Sequence, residues 1–378
     1  MTENKKIKIL ETIRQGSIGG GETYLMNLVL NLDKSKYEPV VLAFTDGEMI
    51  RRLRGEGIEC YVIPTETPFD IRKYPAVMKL ISELNPDIVH FHGSRAGTNT
   101  LIPAKLKGKP VIYTVHGWSF HTGTAASVQK GRILAEKFLV RICNKTVCGS
   151  EADINNGKRL LKAGDYRLIH NSIDSDKYTP APKNEKVLSE LGLKNDDFTV
   201  CFIARVTFQK DPLTFVRAVK SVLEKRPEIR IVMIGDGELK GEVIAEAKKL
   251  NVYNSIIFSP FRTDVRDVLA SVDVFVLPSL WEVIPLAMLE AMAMEKICIA
   301  TRIEGTTEAL NHNENGLLFN PGKPGELAEQ IITAYDNKEL SGRLRKSARE
   351  TVVKYFDLKK LVKANEVLYT EILEGRRK

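Results

Sequence analysis

Short apolar runs recur along the chain with amphipathic stretches between them. The runs at 7–13 (IKILETI), 38–44, 59–63, 87–91 (DIVHF), 110–115 (PVIYTV) and 145–149 predict buried strands, and the stretches separating them predict helices. This alternation is that of a parallel α/β sheet. The pattern starts afresh at 198–203 (FTVCFI) and continues at 229–234, 255–258, 272–277 and 297–300. Helices are predicted over 211–223, 239–250, 286–294 and 324–335. The expected fold class is therefore α/β, with two Rossmann-like doubly wound domains.

Segment 172–197 (SIDSDKYTPAPKNEKVLSELGLKNDD) is polar and holds Pro180 and Pro182, which is linker composition. The expected layout is a first domain over 1–172, a linker over 173–197 and a second domain over 198–356. A final helix over 357–378 is expected to dock back on the first domain. Doubly wound sheets bind ligands at the carboxyl ends of their strands, so two such domains are expected to face one another across a cleft.

Composition narrows the classes. A chain of 378 residues with 43% hydrophobic positions exceeds one compact core and excludes disorder. Its formal charge of +8 favours anionic partners. Five Cys form no CxxC pair, as expected of reduced thiols in a cytosolic protein. Neither a signal peptide nor an apolar run of membrane-spanning length is found, so a soluble or peripheral protein is expected.

Three motifs fall where strands are expected to end. Gly16-Ser17-Ile18-Gly19-Gly20-Gly21-Glu22-Thr23 follows the first strand and runs into a helix, so Gly19, Gly20 and Gly21 allow close approach of backbone to an anion. Arg205 and Lys210 follow the strand at 198–203 and supply a fork and a point charge suited to a diphosphate. Glu282 stands after the strand at 272–277, and Glu290 lies inside the otherwise apolar helix LAMLEAMAM. A carboxylate in such a helix is unfavourable unless it is paired or binds something polar, and a ribose diol would satisfy it.

Together these features resemble the retaining glycosyltransferases of the GT-B fold, specifically glycosyltransferase family 4, over nearly the whole chain. The signature is a pair of glutamates separated by seven residues, matched by Glu282 and Glu290. The resemblance implies that Glu290 binds the nucleotide ribose, that Glu282 faces the donor sugar, and that Arg205 and Lys210 hold the diphosphate. It further implies that the segment Val283, Ile284, Pro285 and Leu286 lines the donor site and that the base lies at Phe261 and Arg262. His116, in Thr114-Val115-His116-Gly117, matches the family's first-domain histidine near the donor sugar, making His116 and Glu282 the catalytic candidates. Gly235-Asp236-Gly237-Glu238 and Asn315-Gly316-Leu317-Leu318 look like family landmarks. Val283 and Pro285 stand where many members have glycine, which narrows the expected sugar pocket and removes one backbone donor.

The resemblance implies no divalent cation and no cofactor. A metal at His90 and His92 is not expected either, because the two are expected on opposite strand faces with no carboxylate or Cys partner nearby. His92, Trp118, His121 and Lys130 are the acceptor-side candidates. Segment 128–145 is basic and amphipathic, suited to peripheral contact with an anionic membrane and to a lipid-linked acceptor. The expected enzyme transfers a hexose or N-acetylhexosamine from a nucleoside diphosphate sugar, UDP-linked, to a lipid-linked or polysaccharide acceptor at the cytoplasmic face of the membrane. The alternatives are an acceptor-independent epimerase or hydrolase of the same fold, a nucleic-acid-binding protein, and a nicotinamide oxidoreductase. No nucleic-acid module and no GxGxxG after the first strand support the last two.

Overall fold

The computed structural model describes residues 5–17, 19–120 and 126–375. Its first sheet is formed by β1 (Ile7–Ile13), β2 (Tyr37–Ala43), β3 (Glu59–Val62), β4 (Ile88–His92), β5 (Val111–Val115), β6 (Lys145–Cys148) and β7 (Tyr166–Leu168). All pairings are parallel, in the order β3-β2-β1-β4-β5-β6-β7. The second sheet contains β8 (Thr199–Ile203), β9 (Arg230–Ile234), β10 (Ile256–Ser259), β11 (Val274–Leu277), β12 (Ile297–Thr301) and β13 (Leu317–Phe319). It is also parallel, in the order β10-β9-β8-β11-β12-β13.

In each sheet the order reverses beside the first strand, between β1 and β4 and between β8 and β11. Connections leave these neighbours in opposite directions, which opens a crevice at their carboxyl ends. The buried strands carry apolar residues on both faces. In the first sheet Ile9, Ile88 and Ile112 pack on one side, while their neighbours Leu10, Val89 and Tyr113 pack on the other. β7 and β13 were not expected, because three residues are too few to carry a periodicity.

The chain divides into two compact units, Met1–Ser172 with Leu358–Lys378, and Ile173–Asp357. Within the first, helix Leu358–Glu374 covers the sheet face carrying Ile9 and Ile112, burying Leu361, Leu368 and Tyr369. Segment 173–197 is not the exposed linker its composition suggested. Ile173, Val187, Leu188, Leu191 and Leu193 are buried in the core of the second unit. Polar composition hid a short amphipathic helix, Glu185–Leu191, started by Asn184, whose side chain accepts from the N–H groups of Lys186 and Val187, and ended by Gly192 in the left-handed region. Burying an aliphatic side chain of this size contributes roughly 1.5–3 kcal/mol, so the segment is an integral part of that core.

Helix Lys338–Tyr355 also belongs to the second unit and packs on helix Leu286–Ala293. Its Arg349 donates to the carbonyls of Ala293, at 2.5 Å, and Tyr178, at 3.1 Å. One cation thereby caps the helix carrying Glu290 and fixes the backbone of the residue that meets its carboxyl.

Candidate active site

In the second unit the sequence-predicted residues gather on the loops at the carboxyl ends of the strands. After β8 the chain passes Arg205 and turns through Phe208–Lys210 into helix Pro212–Lys225. The carboxylate of Asp211 starts that helix by accepting from the Thr214 hydroxyl at 2.6 Å. Arg205 is exposed and makes no ion pair among the described residues. Its backbone is held by the next loop: Val206 N–H donates to the Asp236 carbonyl at 2.9 Å, and Leu239 N–H to the Val206 carbonyl at 3.1 Å. Gly235-Asp236-Gly237-Glu238 thus supports the strand end that presents Arg205.

Lys210 and Glu282 were predicted as separate contacts, and the structure joins them. Lys210 Nζ is paired with Glu282 Oε1, which also accepts from the Ser279 hydroxyl at 2.6 Å. Their side chains are only 17% and 8% exposed, so water screens this pair less than a surface ion pair. Gln209 completes the junction, its side chain donating to the Trp281 carbonyl and its own carbonyl accepting from Leu280 N–H.

The backbone at Glu282 and Val283 rests on Gly305. A Cβ there would lie 2.2 Å from the Glu282 carbonyl oxygen and 2.0 Å from that of Val283, so only glycine permits the approach. Ile284 and Pro285 are buried, Ile284 in the hydrophobic core, while Val283 and Leu286 are half-buried. From Ile284 and Pro285 the segment therefore offers main chain rather than side chain to a donor.

Glu290 lies in the second turn of helix Leu286–Ala293, flanked by buried Met288, Leu289, Ala291 and Met292. Burial pushes its carboxyl up to about 7, with a hydrogen bond from Tyr178 and the charge of Lys177 opposing that rise. Tyr178 was not singled out from the sequence, because it falls in the segment taken as linker. Phe261 presents a ring 65% exposed, and its N–H donates to the Asp236 carboxylate at 3.1 Å. The Arg262 side chain is committed elsewhere, to Asp264 and, at 2.8 Å, to Glu190 on helix Glu185–Leu191. It braces the loop, which leaves the main chain at Phe261 and Arg262 for the base contact that the resemblance implies, largely through backbone. Beside it, Val206, Gly235, Lys240, Phe258 and Pro260 line a small cavity of about 100 Å³. Asn315 is buried and ties Asn311, Ala309 and Thr351 together, a structural role.

In the first unit the central group is one the sequence reading assembled incorrectly. His90 and His92 share a face of β4, as residues two apart on a strand must, and their ring centroids are 4.4 Å apart. The carboxylate taken to be absent is Glu11 on the neighbouring β1, fully buried. His92 Nε2 lies 2.8 Å from Glu11 Oε2, and His92 Nδ1 lies 3.0 Å from His116 Nε2. Tyr369 donates to Glu11 Oε1 at 2.8 Å, and His90 spans Tyr369 and Thr114 at 2.9 and 2.7 Å. The two histidines hold Glu11 well below the usual carboxylate range against the effect of burial. Glu11, His90 and His92 bring ligand atoms within 4.8 Å of one another. Every nitrogen of the two rings already faces a hydrogen-bonding partner, so the arrangement is a hydrogen-bond relay and fits a metal poorly.

His116, at the end of β5, is half-buried and Gly21 packs on its ring, where a Cβ would lie 3.0 Å from Cδ2. Gly20 has nothing within 4 Å of such a position, leaving its backbone approachable, and Gly19 starts helix Gly20–Asn31. Of the four acceptor-side candidates, His92 and Trp118 are buried. His92 is 2% exposed behind His116. Trp118 is buried, donates its ring N–H to the Asp153 carbonyl at 2.8 Å and stacks on Phe120. Lys130 is exposed on helix Ala126–Ile142, and His121 lies outside the described residues.

Comparison with known proteins gives the family. Residues 18–177 match the family model described as Glycosyltransferase Family 4, and residues 183–351 match Glycosyl transferases group 1. The chain is 30% identical over 315 residues, 81% of each chain, to the UDP-Gal:alpha-D-GlcNAc-diphosphoundecaprenol alpha-1,3-galactosyltransferase of Escherichia coli. It is 25% identical over 377 residues to the alpha-monoglucosyldiacylglycerol synthase of Acholeplasma laidlawii, covering 95% of this chain and 91% of the relative. Among solved structures, Anabaena Alr3699/HepE in complex with UDP superposes with a TM-score of 0.85 at 20% identity, covering 97% of this chain and all of that one.

Proposed function

The chain belongs to glycosyltransferase family 4 and has the GT-B fold, and from that premise we propose a retaining, metal-independent hexosyltransferase that draws on a UDP-linked hexose or N-acetylhexosamine. The acceptor in this reading is a lipid-linked glycan or growing surface polysaccharide. The observation that carries it is the group at the β8/β11 reversal, where exposed Arg205 and the Lys210–Glu282 pair stand at the strand ends of one unit with Glu290. Two cations on one diphosphate supply the charge that a divalent ion would otherwise bring. Glu282 then faces the sugar while keeping Lys210 extended, so little side-chain freedom is lost on binding. Glu290 in its ionised form accepts the ribose hydroxyls, the exposed Phe261 ring lies against the base, and His116 meets a sugar hydroxyl.

Retention follows from same-face attack, in which the leaving diphosphate oxygen takes the acceptor proton and the cations stabilise the charge that develops there. Helix Ala126–Ile142 supports the choice of acceptor. It exposes Leu134 (70%), Val128 (48%), Phe138 and Ile142 beside Lys130 and Arg141, a surface suited to an anionic membrane. The described helices include none long and apolar enough to cross a membrane, so the proposed association is peripheral, at the cytoplasmic face.

The test is transfer from UDP-glucose, UDP-galactose and UDP-N-acetylglucosamine to a diphosphoundecaprenol-linked sugar in vesicles with and without anionic lipid, the product anomer being read by NMR. The expected product has the donor's α configuration, forms in the presence of EDTA and forms faster on anionic vesicles. An inverted product would exclude retention. UDP release at the same rate without acceptor would replace transfer by hydrolysis, and no dependence on anionic lipid would remove the membrane contact.

A further inference from the structure

Around β1, β4 and β5 the Glu11 carboxylate, three imidazoles, the Thr114 hydroxyl and the Tyr369 phenol form one hydrogen-bonded group, and one direction of donation satisfies them all. Ionised Glu11 accepts at both oxygens, from Tyr369 at Oε1 and from His92 Nε2 at Oε2. A carboxylate has no proton to give, so His92 carries its proton on Nε2. Burial and the neighbouring His90 push His92 down to about 4, which keeps it neutral. Its Nδ1 is then a bare acceptor, and the group it faces, His116 Nε2, must be the donor.

The second branch runs the same way. Thr114 donates to His90 Nε2 at 2.7 Å, and His90 Nδ1 to Tyr369 at 2.9 Å, which donates to Glu11. Each donor is used once and both branches end on the one anion. The groups facing His116 are His92 and His90 from β4 and Tyr24 from helix Gly20–Asn31, with Glu11 of β1 behind His92. Burial and the adjacent imidazoles hold His116 well below its ordinary range, so it too is neutral near pH 7. The nitrogen left over, Nδ1, has no partner among the described residues.

We propose that Glu11 and His92 are positioning residues that lock His116 as the Nε2–H tautomer, making its Nδ1 a hydrogen-bond acceptor for a sugar hydroxyl and not a proton donor. The hydroxyl rests on the function proposed above, whereas the tautomer stands on the hydrogen bonds and on the burial that keeps both rings neutral. The relay is directional because its terminus only accepts. In Glu11→Gln the amide can turn its NH₂ toward His92 Nε2. The proton of His92 then moves to Nδ1 and, by the same step, that of His116 moves to Nδ1, so the acceptor becomes a donor. A carboxylate that fixes an imidazole tautomer in this way is lost to catalysis when it becomes an amide, even with its geometry intact.

The experiment is long-range ¹⁵N–¹H correlation NMR of the full chain with ¹⁵N-labelled histidine at pH 7.5, His116 being assigned with His116→Gln. The expected spectrum shows His116 protonated on Nε2 only, and Tyr369→Phe leaves that pattern in place because His92 still reaches Glu11. Glu11→Gln is expected to move the proton to Nδ1 and to lower kcat/KM for transfer about 10–100-fold. A wild-type His116 protonated on Nδ1, or on both nitrogens, overturns the proposal whether or not the protein transfers sugar, and stands even where Glu11→Gln does not fold. Unchanged kcat/KM in a folded Glu11→Gln whose His116 proton has moved overturns the acceptor role. Absence of transfer from every donor, with the tautomer as derived, counts against the functional reading and leaves the relay supported.

Discussion

Glu290 and His92 are moved in opposite directions by one cause, burial, which disfavours whichever form is charged. The carboxyl rises to about 7 and the imidazole falls to about 4. Their linkage to stability therefore has opposite sign. Glu290 keeps its proton longer when folded, so its contribution is full below the unfolded carboxyl value and is lost as pH rises toward about 7. His92 stays neutral when folded, so its contribution is full above the unfolded imidazole value and is lost as pH falls toward about 4. Glu11, lowered in the fold, acts in the same direction as His92. Urea midpoints of Glu290→Gln and wild type, compared from pH 4.5 to 7.5, are expected to diverge, the variant gaining relative stability as pH rises. Nucleotide affinity of the wild type is expected to climb through about pH 7 while that of the variant stays flat. Parallel curves in both measurements would show that Glu290 neither titrates there nor binds the ribose as a carboxylate.

Glu290 was legible in the sequence because an acid amid LAMLEAMAM has no cheap explanation. The same reasoning applies to Glu11 within IKILETI, yet its apolar neighbours make the run read as a plain buried strand with no partner for the histidines. Their shared face and a carboxylate on the adjacent strand emerge only once β1 and β4 are paired in register. Trp118 could not be separated from a surface aromatic, since no local pattern says which side of the chain the Asp153 carbonyl occupies.

At the scale of elements, the strands were legible because burial on both faces leaves continuous apolar runs, while helix Glu185–Leu191 was hidden by its charged outer face. The loops at the strand ends depend on backbone approach that side-chain patterns do not encode. Gly305 and Gly20 illustrate the difference. Gly305→Ala places a methyl against two carbonyl oxygens and is expected to destabilise the protein by about 1–3 kcal/mol and to weaken donor binding by shifting Glu282. Gly20→Ala meets nothing within 4 Å and is expected to leave the urea midpoint unchanged or slightly raised, as alanine favours a helix start over glycine. Equal midpoints for the two variants would contradict the close packing of Gly305 against the Glu282 loop.

Over the whole molecule, one plan is used twice. Each unit is a parallel sheet whose order reverses beside its first strand, with Glu11, His90 and His92 on the strands flanking one reversal and Arg205 and the Lys210–Glu282 pair at the strand ends of the other. The renewal of the apolar pattern after residue 198 made the repetition visible in the sequence, and the excess of +8 is consistent with an anionic substrate. The central claim is that the second unit holds a nucleoside diphosphate with Arg205 and Lys210 in place of a metal. Calorimetric titration of the full chain with UDP, GDP and ADP, each with magnesium and with EDTA, tests it most directly. UDP is expected to bind selectively and with equal affinity in both conditions, with binding lost in the Arg205→Ala, Lys210→Ala double variant. Binding that appears only with magnesium, or no binding to any of the three, would contradict it.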